Sequence, residues 1–341
     1  MEKVLSVSIA AYNAAYCINK CIDSFIQSKY INELELLVID DGSNDNIKEV
    51  MAPYIEKYGN SIKLISKKNG GHGSTINKSI VKCTGKYYKV VDADDWVETD
   101  NLDKLIEYLK TSEVDLVLNP YYEVNPQNEK KLISSFVDEK NEYFENRSIE
   151  EVGDSIFLAM HAMTIKSEIL KKVGAIIDEN CFYVDTEYTI FPIEYINTVS
   201  SFSYSIYDYL LGTTNQSMNK KNLEKRRNQH LKVVKRLVDY FVNNESKLSS
   251  QKRNIIKKRI LSIICTHYII LLGIQPKLVV SELKEYDIWL CGQSLELYKD
   301  TIKYGKDTKS GYIKLIGVLR KFRFTGYTST VLTLMKLNII K

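Results

Sequence analysis

The chain has 341 residues, 44% of them hydrophobic and 26% charged, with a formal net charge of +4. That length holds one large or two ordinary domains with a buried core, and the composition is that of a soluble globular protein. The small net charge hides an asymmetry: from Asn215 onward 26 Lys and Arg face 9 Asp and Glu, whereas the preceding residues carry 21 basic and 34 acidic side chains. Such a split marks two regions, an acidic one suited to a cation and a basic one suited to anionic lipid, a phosphate-bearing acceptor or nucleic acid.

In chain order, Met1 to Asn13 passes straight into strand-like sequence with no charged leader, apolar stretch and cleavage site, so no export signal is expected. Val4 to Ala11 is an apolar run of strand length, and Cys17, Ile18, Cys21, Ile22, Phe25 and Ile26 recur at helical spacing. Leu34 to Ile39 is continuously apolar, as a strand buried on both faces of a parallel sheet would be. It runs into a DDGSND turn, where Asn44 or Asp45 is placed to cap the next helix. Strands are expected at 62–66 and 87–91 with a helix at 74–83 between them. An amphipathic helix through Leu102, Leu105, Ile106 and Leu109 and a strand at 114–118 follow. Repeated β-α-β units imply right-handed crossovers and a largely parallel sheet with helices on both faces.

Residues 120–147 read as irregular strands and loops, 160–165 as a strand, and 167–173 and 185–196 as helices. Beyond about residue 222 the pattern is helical, with long stretches at 222–244, 250–273 and 310–321. The longest apolar stretch, Ile260 to Ile274, is about 15 residues and carries Thr266 and His267. A bilayer span needs about 20, so a buried or interfacial helix is expected. The six cysteines show no zinc-ribbon or redox spacing, which suits free thiols in a cytoplasmic protein.

In an open parallel sheet, ligands bind beyond the carboxyl ends of the strands. Those ends carry Ala11-Tyr12-Asn13, Asp40-Asp41-Gly42-Ser43 and Asp92-Ala93-Asp94-Asp95, so five carboxylates share one rim. Two carboxylates about 4 Å apart repel by roughly 4 kcal/mol at an effective dielectric near 20. Asp92, Asp94 and Asp95 beside a strand end therefore call for a cation, and hard oxygen ligands favour Mg²⁺ or Mn²⁺. A metal on a diphosphate stabilises the charge that develops when a sugar–phosphate bond breaks. The attacking hydroxyl needs a base, and Asp185 and Glu187 in CFYVDTEYTIF are both candidates.

The ordered set IAAYN, VIDDGSND, KNGGHGSTINKSI, GKYYKVVDADDWV and YVDTEY resembles the family 2 glycosyltransferases over about residues 3–215. The resemblance implies a GT-A fold (Rossmann-like, nucleotide-diphospho-sugar transferase) over 1–215, followed by a mainly α-helical region, 216–341. It also implies an inverting enzyme that moves a hexosyl or N-acetylhexosaminyl group from a UDP-sugar to a glycan or lipid-linked acceptor in bacterial surface polysaccharide or capsule synthesis. By the same resemblance, Ala11, Tyr12, Asn13, Asp41, Asn69, Gly70, Gly71, Asp92, Ala93 and Asp94 bind the nucleotide. Asp94 and Asp95 carry the metal, and Asp185 is the base. His72, His161, Glu187 and Gln216 are left as acceptor or donor-sugar contacts, with Glu187 a competing base and Gln216 in a loop that closes over the diphosphate. The family's usual Glu-Asp pair is Val184-Asp185 here, and the usual Pro of the first motif is Ala10.

The basic region resembles no catalytic family. Its clusters at Lys225-Arg226-Arg227 and Lys257-Lys258-Arg259, and Lys314, Arg320, Lys321 and Arg323 near Phe322 and Phe324, suggest a surface-lying helix on an anionic membrane at the inner face of the cell. A homo-oligomer interface is the other use, and nucleic acid is excluded because no recognition fold is visible. Two competing readings of the whole chain are a non-catalytic subunit that binds a partner glycosyltransferase and a nucleotidyltransferase. The second lacks its Gly-rich basic loop after the first strand, where Tyr12-Asn13-Ala14-Ala15 stands instead.

Overall fold

A computed structural model describes residues 3–135, 143–174, 176–212, 220–274, 276–307, 311–321 and 324. The chain forms two compact units, Met1–Thr214 and Asn215–Lys341. In the first, β1 (Leu5–Ala11), α1 (Ile18–Ile26), β2 (Leu34–Asp40), α2 (Ile47–Tyr58), β3 (Ile62–Ser66), α3 (His72–Lys82) and β4 (Tyr87–Asp92) alternate strand and helix. After them come β5 (Trp96–Val97), α4 (Thr99–Thr111), β6 (Leu116–Leu118), β7 (Tyr121–Val124), β8 (Lys130–Ile133), β9 (Phe144–Ser148), α5 (Ile149–Val152), β10 (Met163–Lys166), α6 (Ser167–Val173), α7 (Asp185–Ile190), β11 (Thr198–Ser201) and β12 (Tyr207–Leu210).

The main sheet has the order β3-β2-β1-β4-β10-β6-β11-β9, with β3, β2, β1 and β4 all parallel. Every residue of β2 is buried, as its unbroken apolar run requires. Ile18, Ile22 and Phe25 of α1 and Leu102, Leu105 and Leu109 of α4 pack in the same core as Val7, Ile9 and Val91 of the sheet. Each such side chain contributes about 1.5–3 kcal/mol on burial. The chain winds outward from β1 through β2 to β3, then returns to place β4 on the other side of β1. The strand order thus reverses between β1 and β4, which opens a crevice at their carboxyl ends.

The stretch expected as irregular strands and loops at 120–147 holds, among its described residues, β7, β8 and the start of β9. β9 closes the edge of the main sheet on β11, while β7 and β8 join β5 and β12 in a second sheet of order β5-β12-β7-β8. The pairing of Tyr121 with Tyr207 bridges residues far apart in sequence, so local periodicity does not announce it. The strand expected at 160–165 begins later, because Met160–Ala162 forms a 3₁₀ turn before β10. The helix expected at 185–196 is α7 followed by a 3₁₀ turn, Phe191–Glu194, with Pro192 at the junction. Asp45 takes the Ile47 N–H at 3.3 Å at the start of α2.

The second unit comprises α8 (Lys220–Lys225), α9 (Arg227–Asn244), α10 (Ser250–Gly273), α11 (Pro276–Gln293), α12 (Leu295–Asp307) and α13 (Gly311–Lys321). The helices at 276–293 and 295–307 fall within the helical region expected beyond about residue 222, between the long stretches named there. Ion pairs tie the helices together: Arg227 to Glu282 at 2.8 Å, Lys257 to Glu296 and Asp300, Arg253 to Glu245 and Glu296, and Arg320 to Asp287 at 2.8 Å. Arg320 and Phe324, expected on a surface-lying helix, are instead largely buried, Arg320 with its guanidinium over the Tyr298 ring. Among the described residues no helix is long and apolar enough to cross a membrane.

Candidate active site

The turns after β1 and β2 are stitched together at the crevice. The Asp41 N–H donates to the Ala11 carbonyl at 2.8 Å, the Asn13 N–H to Ser43 Oγ at 2.9 Å, and the Asn44 N–H to Asn13 Oδ1 at 2.8 Å. Asn13 adopts φ 50°, a left-handed conformation that Asn tolerates, and Tyr12 beside it is left 54% exposed on the rim. An aromatic face presented to solvent next to buried Asp41 is available to a flat ring.

Asp41 is held by a cradle of donors. Its Oδ1 accepts from Lys67 Nζ at 2.6 Å and from the Gly70 N–H at 2.9 Å, and its Oδ2 accepts from the Gly71 N–H at 2.7 Å. Gly71 reaches this position at φ 79°, which an L side chain rarely adopts. Lys67, which the sequence reading passed over, is the charge that compensates a carboxylate buried at the strand end. Asn69, expected among the nucleotide contacts, lies in the same turn, its backbone N and Cβ 2.9 and 3.4 Å from where a Cβ on Gly42 would stand.

Across the crevice, β4 delivers the acidic cluster. Asp92 Oδ1 meets His72 Nε2 at 3.1 Å. Burial pushes the Asp92 carboxyl up, but the facing His72, with His161 adding to it, outweighs burial and holds it below the usual range. The same pairing raises His72 against the lowering effect of its burial, with Asp185 and Asp41 adding to Asp92. Asp94 is pushed up to about 6 by burial and by the charge of Asp92. Asp95 is buried, and its pKa is raised well above the usual range by burial and by Asp92 and Asp94.

Each member of this trio has a different attachment. Asp95 accepts the Tyr207 hydroxyl at 2.5 Å and the Leu210 N–H at 2.8 Å, so both its oxygens hold β12. The Tyr207 hydroxyl also accepts the Asp92 N–H at 3.1 Å. Ala93, between them, is buried, and Asp94 is half-buried. Asp94 is the one carboxylate of the three not tied to another side chain among the described residues.

The sequence reading took Asp94 and Asp95 as ligands; among the described residues Asp92, Asp95 and His161 form a group of three whose ligand atoms all lie within 4.8 Å of one another. His161 comes from the 3₁₀ turn before β10, a place no spacing rule links to β4. Its ring stacks on Tyr209 at 4.4 Å and meets Tyr207 edge-on at 4.8 Å. The charge of Asp92 raises both Asp94 and Asp95, and the three carboxylates are an oxygen donor set suited to a hard divalent cation such as Mn²⁺ or Mg²⁺.

Asp185 is the first residue of α7 and half-buried, and its charge reaches both His72 and Tyr209. Its charge therefore acts on residues that line the crevice of the acidic cluster. Glu187, its competitor, is fully buried and accepts the Asp178 N–H at 2.8 Å. Gln216, with Asn215 and Ser217, lies outside the described residues.

Residues 6–174 match the family model described as glycosyl transferase family 2. The chain belongs to this family. Among family relatives, glycosyltransferase GlyA of Streptococcus pneumoniae is 31% identical over 125 residues, 37% of this chain and 18% of that protein. The chondroitin synthase of Pasteurella multocida is 34% identical over 126 residues, 36% of this chain and 13% of that protein. The chain thus matches less than a fifth of the length of these two relatives. In fold it is similar to S. aureus TarS residues 1–349, with a TM-score of 0.63 at 16% identity over 98% of this chain and 92% of the other. It is also similar to the mannosyltransferase PcManGT of Pyrobaculum calidifontis, solved with GDP-Man and Mn²⁺, with a TM-score of 0.51 at 12% identity over 98% of this chain and 86% of that one. These likenesses show the GT-A fold.

Proposed function

We propose that the chain transfers a sugar from a UDP-sugar to a hydroxyl of a glycan or lipid-linked acceptor, with inversion, in the synthesis of a bacterial surface polysaccharide. The observation that carries this reading is the meeting of three features at the β1/β4 crevice: the cradled Asp41, the Asp92–Asp95 cluster and Asp185 at the head of α7. TarS structures with UDP and with UDP-GlcNAc, and PcManGT with GDP-Man, support a nucleotide-sugar donor.

Tyr12 offers its face to the base, and Asp41 Oδ2, with one N–H already bound, has a second lone pair for the base N–H. Asp94, together with its acidic neighbours, would hold the divalent cation, which when bound supplies Lewis-acid stabilisation of the leaving diphosphate. Asp185 takes the proton of the acceptor hydroxyl as its oxygen bonds to the anomeric carbon. The bond from that carbon to the diphosphate oxygen breaks with its electron pair leaving on UDP. His72 partners Asp92 at 3.1 Å, and a protonated imidazole there favours the ionised carboxylate beside the proposed diphosphate position. The basic second unit is assigned to an anionic membrane surface, where a lipid-linked acceptor would reside.

The test is thermal unfolding with UDP and Mn²⁺. The pair should raise the melting temperature of the wild type and not that of Asp94→Ala, while Asp185→Asn should keep the shift and lose transfer. Absence of any shift with UDP, GDP or their sugars would sink the reading.

A further inference from the structure

The segment between α6 and α7 is gripped from two sides. Asn77 of α3 brackets Ile177, its Nδ2 donating to the Ile177 carbonyl at 2.8 Å and its Oδ1 accepting the Ile177 N–H at 2.9 Å. The next residue, Asp178, donates its N–H to Glu187 Oε2 on α7 at 2.8 Å. Two residues further, the Asn180 N–H donates to the Gly70 carbonyl at 2.5 Å. The approach is close enough that a Cβ on Gly73 would stand 2.1 Å from the Asp178 carbonyl oxygen, so no other residue fits there without displacing the segment. Gly70 and Gly71 are the residues whose N–H groups grip Asp41. A continuous run of bonds therefore leads from Asp41, through the glycine turn and residues 177–180, to Glu187, two positions after Asp185 on the same helix.

We infer that Glu187 is a positioning residue that fixes α7, and with it Asp185, to the glycine turn that holds Asp41. The inference rests on the donor and base roles proposed above for Asp41 and Asp185. Glu187 is buried, and the oxygen that meets Asp178 serves a backbone N–H, so its work is geometric rather than proton transfer. With the clamp intact, the nucleotide side and the base form one body. Releasing it lets Asp185 drift from the acceptor hydroxyl while the donor stays bound, and a displacement of about 1 Å costs roughly a hundredfold in rate.

The experiment measures UDP release from UDP-GlcNAc and UDP-glucose with Mn²⁺ in the full chain, with water as acceptor. Glu187→Gln keeps an acceptor oxygen for the Asp178 N–H, so its kcat should stay within about threefold of wild type and its pH profile should keep its shape. Glu187→Ala should lose on the order of tenfold or more in kcat with the donor KM unchanged. Asn77→Ala, which opens the other side of the clamp, should show the same split and decides the matter should Glu187→Ala not fold. If Glu187→Gln falls as far as Glu187→Ala and loses the acidic limb of the profile, Glu187 is a proton carrier and the inference is overturned. Full kcat in both alanine variants overturns it too. A wild type that neither gains stability with UDP and Mn²⁺ nor releases UDP defeats the glycosyltransferase reading itself, and the inference with it. Wild-type release that Asp185→Asn abolishes leaves that reading standing whatever Glu187 does.

Discussion

On β4, three residues before Asp92, Lys89 puts an amine inside the sheet with no carboxylate beside it among the described residues. Its Nζ donates to the carbonyls of His161 at 2.7 Å and Met163 at 3.3 Å, which fixes the turn that carries the His161 ring. Burial lowers its pKa from 10.5 to about 7. Between those two values the unfolded chain binds more protons here than the folded one. Lys89 therefore makes stability rise with pH across that window, and this contribution is lost as pH falls through about 7. Lys89→Met should remove the slope. In urea unfolding at about pH 7 and about pH 9.5, the wild type should gain on the variant by on the order of 2 kcal/mol at the higher pH. A flat difference would show that the amine keeps its proton.

Strand β12 shows how an element far along the chain completes a site begun at its start. Its pairing with β5 and β7 places Tyr207 and Tyr209 at the crevice, and the Tyr207 hydroxyl joins Asp95 to the Asp92 backbone. Lys130 of β8 reaches Asp208 at 2.8 Å and also pairs with Glu98, so the strand is held on its other face as well. Tyr207→Phe leaves the buried Asp95 carboxyl and the part-buried Asp92 N–H each short of a partner, which costs about 1–3 kcal/mol. Urea unfolding should show that loss, and the affinity for UDP with Mn²⁺ should fall because Asp95 and Asp92 are no longer anchored. Unchanged stability would mean that the hydroxyl's bonds are replaced by water. None of this was legible in the sequence, where 207–210 is one more short polar-aromatic run.

For the chain as a whole, the charge division between the two regions outlives the ion pairs described above. Glu245, Glu282, Asp287, Glu296 and Asp300 pair with Arg227, Arg253, Lys257 and Arg320, and the 26 basic residues of that half still outnumber its 9 acidic ones. Arg320 and Lys257 join helices to one another, so the proposed adhesion to a membrane would fall to the other basic side chains. Cosedimentation with vesicles of phosphatidylglycerol should show binding that weakens steeply between about 0.05 and 0.5 M salt, as the Debye length contracts to a few Å. Equal binding to neutral vesicles, or none to either, would remove the membrane from the account and leave a protein interface as the use of that charge.

The sequence by itself determined the alternating parallel core and the strand-end motifs, because helical and strand periodicity and turn chemistry are local properties of a few neighbouring residues. It therefore placed Tyr12, Asp41, Asp92, Asp94 and Asp185 at the ends of elements that do form. Only the tertiary structure decided which side chains face each other across the crevice. Lys67 beneath Asp41, His72 on Asp92, His161 from a distant turn and Tyr207 on Asp95 are contacts between residues 20 to more than 100 positions apart. Such contacts depend on strand order and on the balance of burial against hydrogen bonding, which no single stretch of sequence encodes.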